Sequence, residues 1–548
     1  MRTTPPLVAL LAATALVLTA CSTGGSSAKQ AGGGTLTVLT PSSTLLLDPA
    51  SSQNLATTSL SFLDRRLTTW DVKQGQDAKV VPDLATTTGT ASDDGKTWTY
   101  TLKSGLKFSD GSPITSESIK YGIERSFSDQ LQGGLSYHKT LLQGGDGYKG
   151  PFDGKQLASI ATPDSSTIVF HLNKAFGDWP WIASMPAFSP VKESNGNPAA
   201  YVKAPITSGP YKVASIKDGT SVTLVRNKYW SKKTDSVRTA QADTVVFQES
   251  QNQTTTVQNL VNDTGSYKTA FGAQYLGAAD LATVNGNAAA KARLSTSQAG
   301  PIQYLAINTQ RGSLKQLKVR QALEYAVDKK AYLVASGGSN AGTYASTLIT
   351  PGIAGRQDYD LYEAPETGDV AKAKSLLASA GVSGLKLVLL TQNDSASLAQ
   401  AQAVQQGLKR AGITVTLKTE DVDSFYKDVA VSNPTFDLSL SSWQPDFPSA
   451  NANISPLFDS SQIGNGNFNV SQYKNSSIDE AIAAAQAEVD QTKAQAQWAA
   501  IDKRIMADAP IVPLVYAKQS FLHGSGVGNF FIPSFPAYPD YMTLTLTK

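Results

Sequence analysis

One cysteine and three histidines in 548 residues leave little material for thiol or soft-metal chemistry. With Cys21 alone, no disulfide closes within the chain and no thiolate metal cluster assembles. His138, His171 and His523 are far apart and fall in no H-x-x-x-H spacing, so each reads as a surface or core histidine rather than a ligand. Charge of one sign is also missing. The 47 basic residues stand against 44 acidic ones, a formal net of +3, which gives no electrostatic footprint for nucleic acid. After the first twenty residues no run is apolar for the ~20 residues a membrane span needs. Nucleophile and zinc signatures are absent: there is no G-x-S-x-G elbow and no H-E-x-x-H. S-x-x-K occurs at Ser26–Lys29 and Ser471–Lys474 without the S-D-N and K-T-G segments that accompany it in acyl-transfer enzymes. Chance explains both, so an extracytoplasmic serine acyl-transfer enzyme is the weaker reading. No repeat at a solenoid period is present.

The rest of the composition is ordinary: 41% hydrophobic and 17% charged. A chain this long and this apolar builds large cores and more than one compact unit. Its start is an address. Arg2 precedes an apolar stretch, 7–18, too short to span a membrane, and residues 1–20 read as a secretory signal. Leu18-Thr19-Ala20-Cys21 has the form of a bacterial lipobox, which makes Cys21 the expected lipidation site. Residues 21–34, rich in Ser and Gly, then read as a lipidated flexible tether.

Downstream the pattern alternates between strand and helix. Residues 35–39 alternate as a strand and lead to Leu47-Asp48-Pro49-Ala50. The stretch 81–127 is the most structured in the sequence: a turn at Ser92-Asp93-Asp94-Gly95, a half-buried strand over 98–102, and a second turn at 107–113. A helix follows, capped by Thr115 or Ser116, which carries Ile119, Ile123 and Phe127 inward. Residues 167–172 read as another strand, and the Trp179-Pro180-Trp181 cluster reads as core packing in preference to a ligand wall. Ser208-Gly209-Pro210-Tyr211-Lys212 and Arg226-Asn227-Lys228-Tyr229-Trp230 bracket a hairpin whose residues read as structural. Tyr304-Leu305-Ala306-Ile307-Asn308 precedes a helix expected over 317–329, with Val319, Leu323, Ala326 and Val327 on one face. Strand–helix–strand spacing over 369–417, with glycines at 381 and 412 closing the helices, implies an α/β lobe with parallel strands.

Taken together, the 81–127 stretch, the Gly-Pro-Tyr hairpin and the Val319-Arg320-Gln321-Ala322-Leu323 helix resemble the family 5 extracytoplasmic solute-binding proteins of ABC importers, the dipeptide, oligopeptide and nickel class. The resemblance implies an α/β fold of the periplasmic-binding-protein-like type II: two lobes with a hinge and a cleft, plus an additional family-specific domain. It places lobe I at 35–52, 206–301 and 517–548, the additional middle domain at 53–205 and lobe II at 302–516. It implies a substrate-binding lipoprotein that captures peptides in the interlobe cleft and delivers them to permease subunits. The ATPase subunits would be separate chains. No catalysis and no cofactor are expected; the membrane is met through the N-terminal lipid only, and the chain is expected to act as a monomer.

The resemblance also names site residues. Peptide-binding members carry a tryptophan that lines the groove and an aspartate that pairs with the ligand's α-amino group; here these fall on Trp443 and Asp446, with Phe447 in place of the usual tyrosine. Gln53, Asn54 and Leu55, just after Leu-Asp-Pro, are expected to border the groove. A carboxylate in a closing cleft must find a cation, because an unpaired buried charge is costly, and an ammonium is the natural partner. Two departures matter. Ser442 and Pro445 alter the segment before the aspartate. Dipeptide binders hold the ligand carboxylate with an arginine where this sequence has Thr391-Gln392-Asn393-Asp394. Oligopeptides are therefore favoured over dipeptides. The alternatives within the same fold are an oligosaccharide stacked on Trp443, Trp179 and Trp181, a metal chelate, or another small solute.

Overall fold

The computed structural model describes residues 33–547. The expected signal at 1–20, Cys21 and the expected tether 21–34 as far as residue 32 lie outside the described residues; Gly33 and Gly34, at the end of that tether, are already hydrogen-bonded to Gln241 and Asp243. Strand β1 (Thr35–Leu39) opens the fold, and its residues from Leu36 onward are buried. This differs from a half-exposed strand because β1 is flanked on both sides by parallel partners, and both of its faces are covered.

The chain then builds a four-stranded antiparallel sheet from β2 (Thr90–Ser92), β3 (Thr97–Thr101), β4 (Ile160–Asp164) and β5 (Thr167–His171), in the order β2-β3-β5-β4. Trp98, Tyr100, Ile168 and Phe170 face its core, the intervening residues face out. Helix α1 (Ser116–Arg125) lies between β3 and β4 in the chain. The Thr115 Oγ1 accepts from the Ser118 N–H, and Ser118 Oγ accepts from the Thr115 N–H, a reciprocal cap that fixes where the helix begins. Ile119 and Ile123 are fully buried. So is Arg125, whose guanidinium grips Asp48 with two bonds of 3.0 and 2.7 Å and lies 5.0 Å from the Tyr201 ring. The Leu-Asp-Pro segment is thus a clamp between the start of the fold and the 53–205 segment.

Strands β6 (Tyr211–Lys217), β7 (Ser221–Arg226), β8 (Thr244–Gln248) and β9 (Ala270–Gly272) join β1 in a five-stranded mixed sheet of order β9-β1-β8-β7-β6. The hairpin is structural, as its residues suggested: the Tyr211 hydroxyl donates to Ala242 O at 2.7 Å and the Asn227 amide to Gly209 O at 2.9 Å. Beside it a buried ion network, Arg65–Asp83 at 2.7 Å, Arg238–Asp83 at 3.0 Å and Arg238–Asp235 at 3.1 Å, joins the 53–205 segment to this sheet.

After β10 (Leu294–Thr296) the chain enters a six-stranded sheet. It is made of β11 (Ile302–Ile307), β12 (Gly342–Tyr344), β13 (Lys386–Gln392), β14 (Thr414–Glu420), β15 (Leu438–Trp443) and β16 (Ile511–Ala517), in the order β12-β16-β11-β15-β13-β14. β13 runs parallel to both β14 and β15. Helices α2 (Leu317–Ala326), α3 (Lys329–Ala335), α4 (Val370–Ser379) and α5 (Ser395–Arg410) lie along this part of the chain. The helix expected over 317–329 is corrected here: it stops at Ala326, Val327 is extended, and the Asp328 carboxylate caps α3 by accepting from the Ala331 N–H at 2.8 Å. A local cap outcompetes a continuing apolar stripe, and Val327 stays buried all the same.

Helices α6 (Ala450–Phe458), α7 (Ser476–Ala487) and α8 (Gln491–Ala507) precede β16, and β17 (Ser520–Leu522) returns to pair with β10. The passages between the two large sheets, near 297–301 and 517–519, run side by side: Ser297 N donates to Gln519 O at 2.8 Å and Gly300 N to Ala517 O at 2.9 Å.

Candidate functional site

In an open α/β sheet the carboxyl ends of parallel strands, with the helix N-termini that follow them, leave a crevice that side chains do not fill. Here β13 ends at Gln392 and β15 at Trp443 on the same edge, and antiparallel β11 begins there, Ile302 facing Trp443. A cavity of about 420 Å³ opens at this edge. Its walls are Thr391 and Gln392 from β13, Ser441 to Trp443 from β15, Gln303 and Tyr304 from β11, and the first turn of α5. Tyr332, Phe425, Tyr426 and Phe468 add aromatic surface, and Tyr275 reaches it from beyond β9, outside the 302–516 segment.

The chemistry of this lining is aromatic and amide-like. Asp394 is its one charged residue, and it is already occupied: its carboxylate caps α5, and hydrogen bonds from the Ser397 side chain and then from the Ser397 and Ala396 N–H groups hold it below the usual carboxylate range. Gln303 offers more, because its Oε1 is buried and accepts no hydrogen bond from any described residue. Trp443 is fixed for its role as a wall. Its indole N–H donates to Ala452 O at 2.8 Å and its ring tilts against Phe468 at 5.2 Å. Tyr275, Tyr426 and Phe468 are 50%, 51% and 41% exposed, an unusual amount of aromatic surface left on one opening.

Asp446 follows three residues later but is not on the wall of this cavity. It turns toward the 53–205 segment, where the Tyr137 hydroxyl donates to its Oδ2 at 2.6 Å. It makes no ion pair with any described residue, and burial pushes its carboxyl up, against the opposing pull of the Tyr137 bond. Phe447 is corrected: it is 1% exposed and packs edge-on against the Tyr137 ring at 5.5 Å, so it is core and sets the position of Tyr137. Asp446 and Phe447 both lie against Tyr137, one on its hydroxyl and the other on its ring. Gln53 is exposed, Leu55 packs at the edge of the core, and Asn54 spends its Oδ1 on the Thr58 and Ser59 hydroxyls at 2.6 and 2.7 Å. None of the three lines the Trp443 cavity.

Trp179 and Trp181 are 0% and 6% exposed and belong to the core, which removes them as sugar-stacking walls. Ser471 is buried with its hydroxyl donating to Asn469 at 3.3 Å, and no described residue pairs with it as a base. Sequence reasoning missed Tyr137, Gln303, Tyr275 and Phe468. Phe468 had a readable signal, a lone aromatic in the Gly464-Asn465-Gly466-Asn467 loop. Tyr137 had none, because its partner is 309 residues away.

A family model described as Bacterial extracellular solute-binding proteins, family 5 Middle, matches residues 79–465. The glutathione-binding protein GsiB of Salmonella typhimurium is 26% identical over 453 residues, covering 81% of this chain and 82% of that protein. Among solved structures, the clavulanic acid biosynthesis oligopeptide binding protein 2 superposes with a TM-score of 0.85 at 28% identity, over 94% of this chain and 96% of that one. DppA from Helicobacter pylori, in complex with the peptide STSA, shares the fold with a TM-score of 0.68 at 20% identity, over 94% and 99% of the two chains. No described helix is long and apolar enough to cross a membrane. The chain belongs to the family 5 bacterial extracellular solute-binding proteins, an α/β fold that binds solutes for ABC importers and is not an enzyme.

Proposed function

We propose that this chain captures oligopeptides beside Trp443 and delivers them to an ABC permease. The observation that carries the reading is the pairing of two features. The cavity wall holds aromatic faces, amides and strand-end backbone but no cation, and close by stands Asp446, a largely buried carboxylate without a cationic partner among the described residues. Strand ends pair with an extended peptide backbone irrespective of its sequence, and aromatic walls take its side chains. A peptide α-ammonium would complete Asp446. The carboxyl end finds no clamp on the wall, which favours a longer peptide over a dipeptide. The relatives that share this fold support the class: their names carry glutathione, an oligopeptide and the peptide STSA.

A sugar is the weaker ligand, because two of the three tryptophans offered as stacking faces are buried. We further propose that the protein is held to the membrane by lipid on Cys21, acts as a monomer and closes its lobes over the ligand. The test is native mass spectrometry of residues 35–548, expressed without lipid, followed by identification of whatever small molecules co-purify. A ladder of peptide masses released on denaturation supports the reading and reports the preferred length. A single sugar or chelate adduct overturns the peptide assignment and leaves the family standing.

A further inference from the structure

A second cavity, also about 420 Å³, lies in the 302–516 segment and shares no lining residue with the Trp443 cavity. Glu324 on α2, Lys329 at the start of α3, Tyr344 on β12 and Tyr362, with Asp360 and Glu366, make up its wall. Glu324 is the anomaly. It is 4% exposed, and its Oε1 accepts no hydrogen bond from any described residue. It forms no ion pair with a described residue either; Lys329, the one cation on the wall, donates instead to Ala345 O at 2.9 Å. A buried carboxyl left without a donor costs several kcal/mol in an apolar site unless it is neutral or finds a cation.

The rest of the wall repeats that demand. Asp358, Asp360 and Glu366 stand at the exposed rim, so four carboxyls face one ammonium. Asp358 is paired with Arg356 at 2.8 Å, and Asp360 accepts from the Tyr362 N–H at 2.8 Å. The Glu366 carboxylate makes no side-chain bond with any described residue. The aromatic walls are held in place: the Tyr359 hydroxyl donates to Asp502 at 2.8 Å and the Tyr362 hydroxyl to Met506 O at 2.9 Å. Tyr344 is 38% exposed at the opening. Among the described residues no three carboxylates or histidines converge as metal ligands. The wall therefore suits an extended organic cation, with one charge at the floor, another at the rim, and tyrosine faces along the carbon chain.

We propose that this cavity is a second ligand site, separate from the peptide groove, that takes a small aliphatic di- or polyamine with one ammonium on the Glu324 carboxylate and the other among Asp360 and Glu366. The site does not rest on the peptide reading. Burial pushes the Glu324 carboxyl well above the usual range, with Lys329 pulling it back and Asp360 adding to the rise. The ammonium must meet an ionised carboxylate, so binding expels a proton and tightens as pH rises from 6 to 8. The other ionisable groups on this wall are Lys329, Asp358, Asp360, Glu366 and three tyrosines; burial pushes the Tyr344, Tyr359 and Tyr362 hydroxyls above their ordinary range, so they keep their protons across that interval.

The test is titration calorimetry with putrescine and with spermidine on the chain lacking its signal and lipid, at pH 6 and pH 8 in two buffers of different ionisation enthalpy. Three variants accompany it: Glu324→Gln, Tyr344→Ala and Asp446→Asn. Glu324→Gln keeps the shape of the protonated carboxyl, and Tyr344→Ala alters an exposed rim, so both leave the fold intact. The expected result is one-to-one binding with proton release, at least tenfold weaker in Glu324→Gln, several-fold weaker in Tyr344→Ala and unchanged in Asp446→Asn. No heat with either amine at millimolar concentration overturns the site. So does equal binding by wild type and Glu324→Gln, which would mark general attraction to surface acids. Loss in Asp446→Asn also overturns it, by placing the amine in the peptide groove.

Discussion

Asp446 and Tyr137 meet at 2.6 Å, Asp446 forms no ion pair with any described residue, and this pair gives the sharpest test of how the ligand is held. If the carboxylate takes a peptide ammonium, Asp446→Asn loses a charge-assisted bond of ~1.5–3 kcal/mol, roughly 10- to 100-fold in affinity. The diagnostic comparison is between a peptide and its N-acetyl form. Wild type should prefer the free amine by that factor, and Asp446→Asn should bind both alike; equal binding by wild type would remove Asp446 from the ligand site. His138 supplies an independent residue-scale test, in stability. It is fully buried, with Nε2 2.7 Å from the Ser126 hydroxyl, and burial, aided by Lys139, pulls it down to about 3. Its ordinary value is near 6.5. Between those values the unfolded chain takes up a proton that the fold refuses, so stability falls as pH drops below about 6.5. From pH 7 to pH 5 the loss is ~2 kcal/mol at most, by linkage. Thermal melts at the two pH values should show this drop in wild type and a smaller one in His138→Asn; identical drops would clear His138 of the effect.

At the scale of elements, local chemistry was legible and long-range closure was not. Thr115 and Ser118 cap α1, Asp369 caps α4, and Gly412 ends the α5 turn at a positive φ of 85°. Each signal lies within a few residues of what it controls, so strands and helices could be placed from the sequence. The break at Val327 was hidden because its apolar side chain continued the stripe of α2 while Asp328 was already capping α3. The groove was half legible for the same reason. Trp443 sits at a strand end that the pattern marks, whereas the burial of Phe447 and the partnership of Asp446 with Tyr137 depend on a segment brought in by the fold. Gly122, inside α1, separates the two kinds of information. Helix propensity says that Gly122→Ala gains up to ~1 kcal/mol. The packing says otherwise, because a Cβ there would stand 2.1 Å from Ser189 O, a backbone atom. Overpacking of this kind costs ~1–3 kcal/mol, so the net effect should be destabilising. A melting temperature at or above that of wild type would show that 186–189 yields easily.

For the whole molecule, the question is which contacts move when the ligand arrives. The passages at 297–301 and 517–519 are adjacent, run antiparallel and are hydrogen-bonded to each other, the arrangement of a hinge with two threads. The 53–205 segment also touches the 302–516 segment: Gly177 N donates to Gln486 O at 2.7 Å, and the Ser449 hydroxyl donates to the buried Asp178 carboxylate at 2.7 Å. The same segment is tied to the five-stranded sheet by the Arg125–Asp48 and Arg238–Asp83 ion pairs, which are fully buried and costly to break. The 53–205 and 302–516 segments also share one buried apolar core, with Phe447 on Tyr137 in it, so parting them exposes apolar surface as well as breaking the Gly177 and Ser449 bonds. If the lobes close by making these contacts, Ser449→Ala removes a bond to a charged group, ~1.5–3 kcal/mol, from the closed form alone. The unliganded protein should then show a larger radius of gyration by X-ray scattering, and peptide affinity should fall by ten- to a hundredfold, because the closed form is less populated. Ser449 also caps α6 by accepting from the Asn451 N–H, so a lower melting temperature is expected either way and decides nothing. Scattering and affinity decide. A variant that melts earlier but keeps both would show that the Asp178–Ser449 contact is static, and that the moving boundary runs between the five-stranded sheet and everything else.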